Sequence, residues 1–120
     1  PIVFLPNGRT GLFTTDGVTV TDGNYTVLNR IVPTDATRAI RFDGTVRSES
    51  RPNLSFPPGQ GFRGGAVWFY SPGGIIAGAG SLFDVGSLVL TTADPFTNGT
   101  LFNNPGGETI SFVGAADSAS

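Results

Sequence analysis

The stretch AVWFYSPGGIIAGAGSLFDVGSLVLTTADP, residues 66–95, leaves few folds open. It holds three apolar runs rich in β-branched and aromatic residues, set between glycine turns, with almost no charge and nothing that reads as helix. Short runs of this kind bounded by glycines are strands. Gly and Pro together supply 27 of the 120 residues, well above the average usage of about 12%. The strong helix formers Leu, Lys, Glu, Gln and Met are scarce or absent. The chain therefore reads as all-β, with short strands joined by many tight turns.

A chain of this length is a single domain, residues 1–120, that buries roughly 65% of its unfolded surface. Ten Phe, one Trp and two Tyr are enough to fill a narrow core. Strands are expected at residues 2–5, 11–15, 17–21 and 24–31, with turns at Pro6-Asn7-Gly8, Asp16-Gly17 and Asp22-Gly23. Val18 and Val20 alternate with Thr19 and Thr21, the period of a half-buried strand, and Tyr25, Val27 and Asn29 continue it. Residues 32–37 read as a loop in which Thr34 or Asp35 caps a single turn. Residues 39–46 read as a strand pair broken at Asp43-Gly44, with Ile40 and Phe42 facing one way. Residues 47–65 carry Pro52, Pro57, Pro58 and four glycines, and read as an irregular surface excursion.

Beyond that excursion the apolar positions recur. Val46, Val67 and Leu88 are 21 residues apart and Ile110 follows at 22, while Phe69, Leu90 and Phe112 make a second track. Recurrence near this length is how a β-solenoid stacks equivalent side chains into ladders. An antiparallel sandwich is the alternative that strand count and turn density also allow.

The Ser71-Pro72-Gly73-Gly74-Ile75 turn, the Gly78-Ala79-Gly80 step and the Phe83-Asp84-Val85-Gly86-Ser87-Leu88 run resemble paired landmarks of the two-partner-secretion domains of filamentous-haemagglutinin-type exoproteins. The usual forms there read roughly Asn-Pro-Asn-Gly-Ile and Asn-Val-Gly-Gly-Leu. Asn29-Arg30-Ile31-Val32-Pro33 and the strand from Ala39 to Val46 resemble the coil that precedes the first landmark, so the similarity covers residues 29–92. Ser71 and Gly73 stand where the first landmark usually has Asn, and Asp84 and Ser87 replace an Asn and a Gly of the second.

The resemblance implies a right-handed parallel β-helix with extra-helical loops or hairpins, and a fragment of a larger secretion domain whose cap and first coils lie upstream. It also implies a function: targeting a large Gram-negative surface exoprotein or adhesin through the periplasm to a cognate outer-membrane β-barrel transporter with periplasmic recognition domains. The protein would then be secreted or held at the cell surface, with coils stacking outside. Ser71, Pro72, Gly73, Gly74, Ile75, Phe83, Asp84, Val85, Gly86, Ser87 and Leu88 are the transporter-recognition candidates, and coil-corner structure is the other account of the same residues. No initiator Met or signal peptide stands before Pro1, which fits a processed or excised piece.

The chemistry of the side chains points the same way. Without His, Cys or Lys the common nucleophile–base pairs cannot be built, and no enzyme activity, cofactor or metal is expected. Cysteine-free composition suits a chain that crosses a pore without periplasmic cross-links. The net charge of −2 and the interleaving of Asp35, Asp43 and Glu49 among Arg30, Arg38, Arg41 and Arg47 offer nucleic acid no basic stripe. Asp43, Asp84 and Asp94 would be the carboxylates of a carbohydrate-cleaving β-helix, and Asp16 and Asp22 the oxygen ligands of a calcium site, but turn bracing explains all five. Asn24-Tyr25-Thr26, Asn53-Leu54-Ser55 and Asn98-Gly99-Thr100 match the glycosylation acceptor pattern. Two further readings remain: a glycan-binding adhesive module using Trp68 and Tyr70 if these face outward, and a structural unit that self-associates end to end into a fibre.

Overall fold

The computed structural model describes residues 2–93 and 108–113. Its strands are β1 (Ile2–Leu5), β2 (Thr10–Phe13), β3 (Thr26–Val32), β4 (Ile40–Phe42), β5 (Thr45–Ser50), β6 (Phe62–Arg63), β7 (Ala66–Tyr70), β8 (Ile75–Ala77), β9 (Leu82–Asp84), β10 (Ser87–Thr91) and β11 (Glu108–Val113). No helix occurs among the described residues. Each strand is short because a Gly, Pro or Asp turn closes it after a few residues, as the composition requires.

The strands form three sheets, ordered β1-β4-β8, β10-β7-β3-β11, and β2-β5 with β6 and β9 both on β5. Pairing is parallel everywhere except between β5 and β6. An antiparallel sandwich is thereby ruled out. The strands visit the sheets in a fixed cycle: β1, β2, β3, then β4, β5, β7, then β8, β9, β10. Parallel neighbours need long crossovers, and here each crossover passes through the other two sheets.

The core draws on all three sheets. Ile2, Ile31, Ile40, Phe42, Val46, Val67 and Phe69 form one buried cluster. Phe42 is its hub, with ring centroids 4.8 Å from Phe69 and 5.6 Å from both Phe4 and Phe83, all edge-to-face. Such pairs contribute about 0.5–1.5 kcal/mol each beyond their burial. Ile40 and Phe42 do face the same way, both inward.

Three local expectations change. Residues 17–21 form no strand, because the Asp16 carboxylate accepts the backbone N–H groups of Val18 (2.8 Å), Thr19 (2.8 Å) and Val20 (3.0 Å) and also the Thr19 hydroxyl. A side chain has taken the donors that a ladder would have used, and both valines are left exposed. Residues 47–50 belong to β5 and are largely buried, so the excursion proper begins at Arg51. It returns through β6 as a hairpin arm on β5, pairing Arg63 with Glu49 and Phe62 with Ser50.

The ladders are the third. Val67 does lie beside Leu88, and Phe69 beside Leu90. On their other side, however, stand Val27 and Asn29 of β3, while Val46 lies in another sheet between Gly11 and Phe83. The spacing of 21 holds only where no excursion intervenes, between β7 and β10. β11 lies at the far edge of β3, with Ile110 opposite Asn29 and Phe112 opposite Ile31, so these residues do not extend the tracks beyond β10.

Candidate functional site

The first landmark links β7 to β8 as a sharp corner. Gly74 N–H donates to Ser71 O at 3.3 Å, and Gly74 O accepts from Ile40 N–H at 3.0 Å. Gly74 has φ +108°, a conformation that L side chains rarely adopt. Gly73 needs its missing side chain for a different reason. A Cβ there would sit 2.5 Å from the Arg38 carbonyl carbon and 2.8 Å from that of Thr37. The corner is thus stacked directly on the preceding one, which Asp35 braces by accepting Thr37 N–H at 3.0 Å and the Thr37 hydroxyl at 2.6 Å. Those bonds, the hydroxyl's first, hold the Asp35 carboxyl below the usual carboxylate range. Ser71 is completely buried and its hydroxyl has no hydrogen-bond partner. Pro72, Gly73, Gly74 and Ile75 are half-buried.

The second landmark spans the end of β9 and the start of β10. Phe83 packs on Phe42 (5.6 Å) and Phe69 (6.5 Å), while Val85 and Leu88 lie against the core cluster. Gly86 N–H donates to Ser48 Oγ at 3.2 Å and Ser87 N–H to Gly65 O at 3.1 Å. A Cβ on Gly86 would meet Gly65 O at 2.7 Å. Asp84 Oδ1 lies 2.6 Å from Arg63 Nε, yet this oxygen makes no hydrogen bond, so the contact is ionic only. Gly86 and Ser87 are exposed. The landmarks sit at opposite ends of the β7–β10 pair: Ser87 and Leu88 pair with Ala66 and Val67, whereas Ser71 N–H reaches Thr91 O at 3.1 Å. They do not converge on a single patch.

A group that sequence reasoning missed holds the excursion in place. Glu49 on β5 has no exposed surface. Its carboxylate accepts the Thr14 hydroxyl (2.7 Å), Gly59 N–H (2.8 Å) and Gly61 N–H (3.1 Å), with Arg47 at 3.8 Å. Burial opposes its charge, but the three bonds and the arginine outweigh that effect and hold the carboxyl below its ordinary value. Next to it the Tyr25 hydroxyl donates to Glu49 O at 2.7 Å, and burial pushes the phenol's pKa up. Arg51 completes the anchor, donating to Thr15 O (Nε, 2.8 Å) and Phe56 O (Nη1, 2.9 Å). The one available signal was a Glu placed between two serines in a strand of a chain with only two Glu.

The remaining polar candidates are occupied by structure. Asp43 is held by Arg41 Nε at 2.8 Å and Asp84 by Arg63, so these carboxylates are engaged by cations; Asp94 lies outside the described residues. Asp16 braces its own loop and Asp22 accepts Asn24 N–H at 3.1 Å. No cluster of acidic side chains suited to a metal occurs among the described residues. Tyr70 is only 9% exposed, with Arg30 over its ring at 5.8 Å, and Trp68 is half-buried. They make no open aromatic platform. Of the glycosylation tripeptides, the one at Asn24 runs into the Tyr25 anchor, that at Asn53 lies on the exposed excursion, and that at Asn98 lies outside the described residues. A groove of about 520 Å³ runs along Leu12 to Asp16, Thr19, Val20 and Tyr25 to Val27.

Comparison of the chain with models of protein families, with curated proteins and with solved structures finds no match in any of the three.

Proposed function

We propose that this chain is a right-handed parallel β-helical segment of the secretion domain of a large surface exoprotein. In this reading it is recognised in the periplasm by an outer-membrane β-barrel transporter and folds as it emerges outside. The observation that carries the reading is the cycle of strands: three successive triplets visit three parallel sheets in one order, with the resembled landmarks at corners between sheets. Right-handedness follows from the strong preference of parallel crossovers for that hand. The β5–β6 arm and residues 51–61 then correspond to an extra-helical hairpin.

The mechanism needs no bound group. A chain without cysteine carries no cross-link through the pore, and each triplet of strands that emerges docks on the one before. Its parallel ladder and apolar interior make the return step unfavourable. Of the landmarks, Gly86, Ser87 and the ion pair of Asp84 with exposed Arg63 are accessible on the folded surface, whereas Ser71 is sealed inside. Recognition by a transporter of the folded chain would therefore use the second landmark. Recognition of the unfolded chain would leave both available.

The test is export of the precursor with its cognate barrel, comparing wild type with Asp84→Ala and with a replacement of residues 71–74, while circular dichroism follows folding of the purified chains. Lost export with folding intact supports recognition through these turns. Export unchanged in both variants removes them from recognition and leaves them as corners.

A further inference from the structure

The Asn53-Leu54-Ser55 tripeptide stands on the excursion with all three residues exposed. Asn53 Oδ1 accepts the backbone N–H of Ser55 at 2.9 Å and also the Ser55 hydroxyl, while Asn53 O accepts Phe56 N–H at 3.3 Å. The tripeptide is thus closed into a turn that ties the side-chain amide to the hydroxyl two residues on. With Oδ1 taken by these donors, Nδ2 is the open atom of the side chain, and it makes no hydrogen bond among the described residues.

The turn is held from both sides. Arg51 donates to Thr15 O and Phe56 O, and Glu49 takes the N–H groups of Gly59 and Gly61. The Asp16 loop packs so close that a Cβ on Gly17 would meet Asn53 C and O at 3.1 Å. An enzyme meeting this loop has an ordered, exposed tripeptide before it, so little ordering entropy remains to be lost on docking. Asn24-Tyr25-Thr26 matches the same pattern but is built differently. Asn24 is exposed, whereas Thr26 is only 9% exposed within β3 and the Tyr25 hydroxyl is committed to Glu49 O at 2.7 Å. The acceptor pattern requires the hydroxyl residue as well as the amide, and here that residue is reached only by opening the sheet.

We propose that Asn53 is a glycosylation site of the folded protein and that Asn24 is not. The substrate class is a sugar activated at its anomeric carbon by a diphosphate, carried on lipid or on a nucleotide, with a transferase as catalyst. Asn53 Nδ2 bonds to the anomeric carbon and the bond from that carbon to the phosphate oxygen breaks. The diphosphate leaves with the electron pair, the Nδ2 proton passes to a base of the transferase, and nothing is oxidised or reduced. The position has a use. Leu54 and Phe62, on the excursion and its return strand, are 68% and 63% exposed, and a hydrophilic group beside them shields apolar surface. The site depends only on the loop and its anchors, and it stands apart from the export reading.

The test offers the folded chain two donors in separate arms: a lipid-linked oligosaccharide with an oligosaccharyltransferase, and uridine diphosphoglucose with a soluble asparagine glucosyltransferase. Asn24 and Asn53 fall in separate tryptic peptides, since Arg30 and Arg47 lie between them, so mass spectrometry reads each site. Sugar on Asn53 and none on Asn24 is expected, and the arm that gives it identifies the carrier. Ser55→Ala loses the modification, Ser55→Thr retains it, and circular dichroism of the modified chain stays that of the bare one. Asn53 left bare in both arms overturns the proposal. So does Asn24 filled as fully as Asn53 in the folded chain, or sugar still added to Asn53 in Ser55→Ala.

Discussion

Glu49 accepts the backbone N–H of Gly59 at 2.8 Å, so a sealed strand residue grips the tip of the excursion that leaves its own strand two positions later. The carboxylate replaces the solvent that the loop amides would otherwise need, which makes residues 51–61 an anchored element of the fold.

Glu49→Gln should therefore destabilise the protein by about 2–3 kcal/mol, the scale of hydrogen bonds to a charged group. The amide keeps one acceptor but aims an NH₂ at loop donors. Equilibrium urea unfolding measures this, and a loss below a few tenths of a kcal/mol would contradict the anchor. Because the folded carboxyl titrates below its ordinary 4.5, its contribution is complete well above that pH and is lost as pH falls below 4.5 through the lower folded value. The decline of stability in acid should be shallower in the Gln variant. Asp16 and Asp35, both also lowered by hydrogen bonds to nearby threonines, titrate alike in both proteins.

Tyr25→Phe should cost about 1 kcal/mol by leaving Glu49 O without the hydroxyl that now donates to it. The alkaline limb carries a second signature. Burial raises the folded phenol above 10, so wild type loses stability as pH climbs beyond 10, where only the unfolded chain ionises freely. The Phe variant lacks this component, and pH-dependent denaturation curves should show the difference.

Gly73→Ala should destabilise by about 2–3 kcal/mol, since its new methyl meets the Thr37–Arg38 backbone and backbone cannot step aside cheaply. Gly74→Ala has room, its nearest neighbour being the Ala39 Cβ at 3.8 Å, but must hold φ +108°, a strain of at least about 1 kcal/mol. Thermal melts that leave Gly73→Ala at wild-type stability would refute the stacked corner.

Ser71→Ala should be neutral or stabilising by up to about 1 kcal/mol, because the hydroxyl it removes is buried without a partner. A marked loss of stability would mean that the hydroxyl is bonded.

Asp84→Ala should change stability by less than about 1 kcal/mol, as its ion pair is with an exposed arginine and lacks a hydrogen bond. That makes it the clean probe of export: a large fall in urea midpoint would spoil its use, and an unchanged midpoint licenses the comparison.

Much of the fold could be read locally. Ile2–Leu5, Thr26–Val32 and the split of Ile40–Phe42 from Thr45–Ser50 follow from β-branched runs and from Asp-Gly or Pro turns. Between Gly11 and Thr21 the same logic failed at one point. Val18 and Val20 have the alternation of a strand, but Asp16 is close enough in sequence to take their amides first, and the pattern of apolar residues does not record that competition. For the landmarks, the sequence identified corners, and the structure assigned their reasons separately: φ at Gly74, close approach at Gly73 and Gly86.

What the sequence alone determined is the all-β character, the shortness of the strands and the turns that end them, because each depends on residues within a few positions of one another. Tertiary structure alone decided which strands are neighbours. Val27 lies beside Val67 and Val46 beside Phe83, pairings set by how many corners and excursions the chain passes between visits to a sheet. It also decided the role of Glu49, whose donors come from β2's far end and from a loop ten residues on. A carboxylate becomes a structural anchor only when folding brings unpaired N–H and O–H groups to it and removes the water that would have served instead.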